Sequence, residues 1–141
     1  MATDRRHARV LAMQALCQWD VQRDESPESL QAYMLASEAS AKPVRYASEL
    51  VRTFWSRREE IDRRLSEASP NWEVGRMSPV ERNVMRVTVV EWLTAKVPPK
   101  VALNEAIEIA GEYADDNARR FVNGILDEVL KGLAVEPKDH D

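Results

Sequence analysis

The sequence has little of what most catalytic and metal sites need. It contains one cysteine, Cys17, and two histidines, His7 and His140, at opposite ends of its 141 residues. A single cysteine excludes an intrachain disulfide framework and a cysteine-based zinc site. No apolar run approaches the roughly 18 residues of a membrane span, and the N-terminus lacks a signal-peptide core. These absences predict a protein of the reducing cytoplasm, without membrane contact or metal.

Signatures of catalysis are also missing. There is no P-loop, no glycine-rich dinucleotide fingerprint and no nucleophile elbow. Cys17 lies in an apolar helical pattern, where cysteine usually packs as a small hydrophobic residue. Glu105, Glu108 and Glu112 share a predicted helix face, but a di-metal site would also need Glu-x-x-His motifs, which are absent. We therefore expect a non-enzymatic protein without cofactors, and we interpret this acidic face as solvated or facing a basic protein.

The chain has only four glycines, and its 24 acidic and 20 basic residues leave a net charge of −4. So few glycines argue against a turn-rich β architecture. The acidic balance excludes a polycation that coats nucleic acid everywhere, but it allows local basic patches. The prolines separate amphipathic stretches whose lengths suit helices.

Apolar periodicity predicts helices at about residues 4–23, 27–40, 43–68, 79–96 and 100–114, and a sixth after an N-cap at Asp115 or Asp116. The fourth has the clearest start, a capping box at Ser78-Pro79-Val80-Glu81. We expect close backbone packing at Gly124, since an interior helical glycine costs about 1 kcal/mol relative to alanine. The fold class is an all-α bundle of six to seven helices, one domain over residues 1–135 with a flexible tail at 136–141.

The basic cluster is the most informative surface feature. Arg5, Arg6 and Arg9, with His7 between them, stand in the first turns of the first helix, and Arg119-Arg120 stand at the start of the last. Helix N-termini and guanidinium groups both suit phosphate oxygens, so the two helix starts would form one anion-binding groove if they adjoin. Composition alone also allows a merely solvated basic end. The tryptophans and tyrosines are interpreted as core, although an exposed one beside the arginines would stack on a base.

Three segments resemble the NusB family of bacterial antitermination factors. They are Arg5-Arg6-His7-Ala8-Arg9 with the following 12–19, Val97-Pro98-Pro99-Lys100 with the following 101–110, and Arg120-Phe121-Val122-Asn123-Gly124-Ile125-Leu126-Asp127. The resemblance implies two packed helical subdomains and binding of single-stranded boxA RNA from ribosomal RNA transcripts. It also implies a heterodimer with NusE, a small-subunit ribosomal protein, that joins the RNA polymerase antitermination complex and suppresses termination.

The resemblance also assigns residues. Its RNA contacts correspond to Arg5, Arg6, His7, Arg9, Gln14 and Arg120, and its ribosomal-protein contact corresponds to Glu81. His7 stands where the family usually has arginine, and Cys17 replaces a common tyrosine. A homodimer that buries the arginine face is left open.

Charge patterning predicts separate surfaces for two partners. Residues 4–9 carry a net charge of +2 and residues 101–118 carry −5, so one face would take RNA and another a basic ribosomal protein. Two other readings remain: the NusB-like domain of a ribosomal RNA cytosine methyltransferase, and a helical protein-interaction module without RNA binding.

Overall fold

The computed structural model describes residues 2–22 and 41–135. These residues form five α-helices and one 3₁₀ turn: α1 (Ala2–Gln22), α2 (Ala41–Ala68), the turn (Val74–Arg76), α3 (Pro79–Thr94), α4 (Pro99–Tyr113) and α5 (Asp116–Val135). This part of the chain holds no strand, which confirms the all-α prediction. The five helices found there are fewer than the predicted six to seven, and the helix predicted at 27–40 lies outside the described residues.

Two predicted helix starts have the expected hydrogen bonds. The Ser78 hydroxyl accepts from the backbone N–H of Glu81 at 3.3 Å at the start of α3, and a carboxylate oxygen of Asp115 accepts from the N–H of Ala118 at 2.8 Å at the start of α5. The β-branched stretch 87–90 is helical. The cap and the 3.6-residue apolar period therefore outweigh its strand propensity.

The core is centred on α3, which packs against each of the other four helices. All of its residues from Arg82 to Glu91 are buried. The first helix is buried on more than one face, as its sequence predicts, with Ala8, Leu11 and Leu16 at most 3% exposed. Because α1 and α3 share the interior, polar side chains on either helix must find partners inside the protein.

The glycine prediction is wrong. Gly124 is exposed, and a Cβ there would meet no atom within 4 Å. It lies on the solvent side of α5, whereas Val122 and Leu126 on the same helix are fully buried. The close approach occurs instead at Gly111 in α4, against the side chain of Arg119.

Candidate nucleic-acid interface

Arg6, near the start of α1, is held by carboxylates of α4. Its Nε donates to Glu105 Oε1 at 2.7 Å and its Nη2 donates to Glu105 Oε2 at 3.0 Å. The same Nη2 also donates to Glu108. The hydrogen bond from Arg6 holds the pKa of Glu105 below its usual range, and the two carboxylates raise the pKa of Arg6. The pair is therefore fully charged at neutral pH.

Arg9 lies one turn further along α1 and is buried, with a side chain only 6% exposed. Its Nε donates to Glu91 Oε1 at 2.8 Å, and its Nη1 reaches Glu105 Oε1 at 3.5 Å. Glu91 is fully buried and also accepts from the Tyr46 hydroxyl at 2.6 Å. Burial, together with this hydrogen bond to Glu91, raises the pKa of Tyr46 above its usual value. Arg9 and Glu91 thus tie α1 to α2, α3 and α4.

The basic and acidic segments of the sequence therefore meet. Arg5 stacks on the Tyr46 ring at 4.1 Å, so the cluster sets Arg5, Arg6 and Arg9 against three carboxylates. The interpretation of the acidic helix face as solvated is wrong for Glu105, which is half-buried beneath Arg6. The charged segments predicted to serve two separate partners are joined here by ion pairs between Arg6 of α1 and the carboxylates of Glu105 and Glu108 on α4.

An open groove of about 410 Å³ lies between the start of α1 and the end of α4, lined by Asp4, Arg6, His7, Val10, Glu112 and Tyr113. His7 is exposed at its edge, and Tyr113 has 41% of its surface exposed. The groove thus offers an arginine, a histidine and an aromatic ring to one ligand, alongside the carboxylates of Asp4 and Glu112. This combination suits a chain that carries both phosphates and bases.

The start of α5 adds two cations beside α4. Arg120 is exposed and donates to Asn117 on its own helix. Arg119 is also exposed, and its side chain lies across Gly111 of α4. The groove itself reaches Glu112, the residue after Gly111. The start of α5 thus lies beside α4, but neither Arg119 nor Arg120 is among the residues that line the groove.

Two other predicted residues lie apart from this groove. Gln14 is half-buried on α1, outside the groove lining. Glu81 is half-buried at the start of α3, ten residues from Glu91, which is a rise of about 15 Å along a helix. The structure therefore places the predicted protein contact away from the arginine cluster. Cys17 is half-buried, and burial raises its pKa.

A second buried charge network was not predicted. Arg86 of α3 donates to Asp62 of α2 through Nε at 2.9 Å and Nη2 at 2.7 Å, and to Asp20 of α1 through Nη1 at 3.1 Å. Arg82 and Asn83 also donate to Asp20, at 3.0 and 2.7 Å. Arginines four residues apart on an apolar helix were the available signal. Their partners lie on other helices, which local spacing does not indicate.

The aromatic residues divide between core and surface. Trp19 is buried with its ring edge-on to Phe54, as expected of a core residue. Trp72 is 54% exposed and packs edge-on against Phe121 of α5, with ring centroids 5.4 Å apart. The interpretation of all tryptophans and tyrosines as core is therefore wrong for Trp72 and Tyr113.

Within residues 2–22 and 41–135, no three histidine, cysteine or acidic side chains are grouped as a metal ion requires. Over the same residues, no helix has the length and apolar character to cross a membrane. An all-helical fold with an arginine, a histidine and an exposed tyrosine in one groove, and further arginines near it, has the features of a small RNA-binding protein.

The comparisons with known proteins agree with this class. A family model described as the NusB family matches residues 6–131. A relative named transcription antitermination protein NusB, from Anaeromyxobacter sp. (strain Fw109-5), is 39% identical, and the alignment covers 100% of this chain and 99% of the relative. The chain belongs to the NusB family. Because such relatives are named as antitermination proteins, membership confirms a transcription factor rather than an enzyme.

Solved structures extend the likeness to the fold. NusB from T. maritima is 36% identical with a TM-score of 0.82, over 90% of each chain. A chain in a crystal structure of antitermination factors NusB and NusE in complex with dsRNA is 30% identical with a TM-score of 0.83, over 94% of this chain and 99% of that one. These full-length matches do not favour the methyltransferase alternative.

Proposed function

We propose that this chain is a cytoplasmic transcription antitermination factor that binds boxA RNA of ribosomal RNA transcripts together with NusE. The observation that carries the proposal is the groove beside α4, where Arg6, His7 and Tyr113 meet in a chain of the NusB family. The similar structure of NusB and NusE with dsRNA supports the same pair of partners. The chain would act as one domain of two helical subdomains over residues 1–135, with 136–141 as a tail.

The groove suggests different roles for the arginines. Arg6, one third exposed although paired with Glu105 and Glu108, and Arg120, exposed near the start of α5, would contact phosphates. Arg9 is buried on Glu91, so we assign it to positioning α1 against α4 rather than to direct RNA contact. Arg5 is held on the Tyr46 ring and its Nη1 is buried, so a phosphate would reach it only through its other guanidinium nitrogens.

Base recognition would come from the exposed aromatic ring. Tyr113 lines the groove with Arg6 and His7, and an unstacked base of single-stranded RNA would lie against its ring. His7 would add a hydrogen bond from its exposed ring at the edge of the groove. Gln14 lies further along α1 and would contact RNA that continues beyond the groove.

Glu81 is proposed to contact NusE. It lies at the start of α3, away from the arginine cluster, so RNA and protein would occupy different surfaces at once. A carboxylate at the rim of an interface suits a basic ribosomal protein and mainly raises its association rate. The resulting complex would join RNA polymerase during antitermination, and a homodimer would compete if it buried the arginine face.

Fluorescence anisotropy with labelled boxA RNA, with and without NusE, tests the proposal. Each lost phosphate contact is expected to weaken binding about five-fold at ~0.1 M salt, because each contributes about 0.7 to the salt slope on a single strand. Arg6→Gln with Arg120→Gln should therefore lose about 25-fold. Arg63→Gln is the control, since Arg63 is an exposed arginine of α2.

The outcomes separate the candidate functions. Unchanged affinity in the double variant, with circular dichroism confirming its fold, would refute this assignment of the RNA face. Binding of NusE without any RNA binding would favour the helical protein-interaction module. Methyl transfer from S-adenosylmethionine to RNA would revive the methyltransferase alternative.

A further inference from the structure

Arg119 crosses α4 at the one position of that helix without a side chain. A Cβ built on Gly111 would lie 2.6 Å from Arg119 Cδ and 2.8 Å from its Cγ, and would also collide with Nη1. Such separations are far below van der Waals contact. The path of the Arg119 side chain therefore requires glycine at position 111.

The Arg119 guanidinium lies over the Gly111 position of α4, because a Cβ there would collide with its Nη1. Gly111 lies three residues after Glu108, so the two are neighbours on the helix surface. Glu108 is the exposed carboxylate that Arg6 contacts from α1. Arg6 of α1 and Arg119 of α5 thus lie at positions of α4 that are about one helical turn apart.

Arg119 differs from Arg6 and Arg9 in its electrostatic state. Among the described side chains, no carboxylate lies within 4.0 Å of its guanidinium nitrogens. The side chain is at the surface, so its charge remains available to a ligand. Binding a phosphate would therefore cost Arg119 none of the described ion pairs that hold Arg6 and Arg9.

We propose that Arg119 is a further phosphate-contacting residue of the RNA interface, positioned across α4 by the missing side chain at Gly111. The inference rests on the proposed function, because it assumes that RNA lies along the groove beside α4. It extends that groove over the exposed strip of α4 to the start of α5, with Arg6 and Arg119 on either side of Glu108.

Three variants test the proposal through boxA RNA binding by the full chain in the presence of NusE. Arg119→Gln removes the charge and should weaken binding about five-fold at ~0.1 M salt, with the salt slope reduced by about 0.7. Gly111→Ala displaces the Arg119 side chain without changing any charge, and should weaken binding by a similar factor. Gly132→Ala is the matched control, since a Cβ at Gly132 of α5 meets nothing within 4 Å.

Thermal melts distinguish a local loss of RNA contact in Gly111→Ala from unfolding of the variant. Alanine is a better helix former than glycine, so thermal melts of Gly111→Ala should show an unchanged or raised Tm while RNA affinity falls. In the double variant, Gly111→Ala should have no further effect once Arg119→Gln is present, because it acts only through that side chain.

Wild-type affinity in Arg119→Gln would overturn the proposal. Additive losses in the double variant would overturn the positioning role of Gly111. If the unaltered chain with NusE binds no RNA, the proposed function fails and this inference fails with it, whereas the first two results leave the function intact.

Discussion

Glu91→Gln is expected to destabilise the protein more than any comparable change at the surface. Glu91 is fully buried and accepts from both Arg9 and Tyr46, so the variant keeps the shape but removes the charge that balances Arg9. Breaking a buried ion pair costs about 3–5 kcal/mol. Because the amide retains some hydrogen bonding and Glu105 lies 3.5 Å from Arg9, we expect the lower end, about 3 kcal/mol.

Urea and thermal unfolding measure this loss. For a chain of this length about 3 kcal/mol corresponds to a fall in Tm of roughly 6–12 °C. Glu108→Gln is the control, because Glu108 is exposed and its pair with Arg6 is expected to contribute at most about 1 kcal/mol. A Glu91→Gln variant within about 1 kcal/mol of the wild type would refute the view that Arg9 depends on this buried charge.

Three further predictions concern titrating groups. Arg6 lowers the folded-state pKa of Glu105. The ionised Glu105 carboxylate therefore stabilises the protein above its unfolded-state pKa, and this stabilisation is lost as the pH falls through its folded-state pKa. The difference in urea midpoint between wild type and Glu105→Gln should therefore shrink below the ordinary glutamate pKa of about 4.3. The raised pKa of Tyr46 has the opposite sign, so its stabilisation is lost as the pH rises. Absorbance titration should show one phenol that ionises above the ordinary tyrosine pKa of about 10 and that is absent in Tyr46→Phe. His7→Arg should raise RNA affinity about five-fold at ~0.1 M salt, because it places one more guanidinium in the groove beside Asp4, Arg6 and Glu112, and fluorescence anisotropy measures the change.

Local sequence signals predicted the helices well. The capping box at Ser78 and the carboxylate cap at Asp115 mark the starts of α3 and α5, because both use side chains within three residues of the groups they cap. The stretch 87–90 shows that periodicity and a cap outweigh strand propensity.

The charge pairing could not be predicted in this way. Arg6 is 99 residues from Glu105, and Arg9 is 82 residues from Glu91. Each segment therefore shows mainly one sign of charge when it is read alone, and only the fold brings the basic and acidic segments together. Arg5, Arg6 and Arg9 lie together at the start of α1, but their partial neutralisation follows from ion pairs of Arg6 with α4 and of Arg9 with α3.

The two interior helical glycines also show what local sequence cannot predict. Gly111 and Gly124 both lie inside amphipathic helices, and nothing in their local sequence separates them. Only the docking of α5 on α4 decides which one a side chain crosses, and that is Gly111.

The RNA-binding face is tested most directly by mapping which backbone amides are perturbed when RNA binds. Backbone amide signals of the 141-residue chain can be followed by NMR as boxA RNA is added. Amide chemical-shift changes should concentrate at the start of α1, the end of α4 and the start of α5, including His7, Tyr113 and Arg119. Shifts confined to the exposed side of α2 around residues 57–67, with none in the groove beside α4, would contradict it.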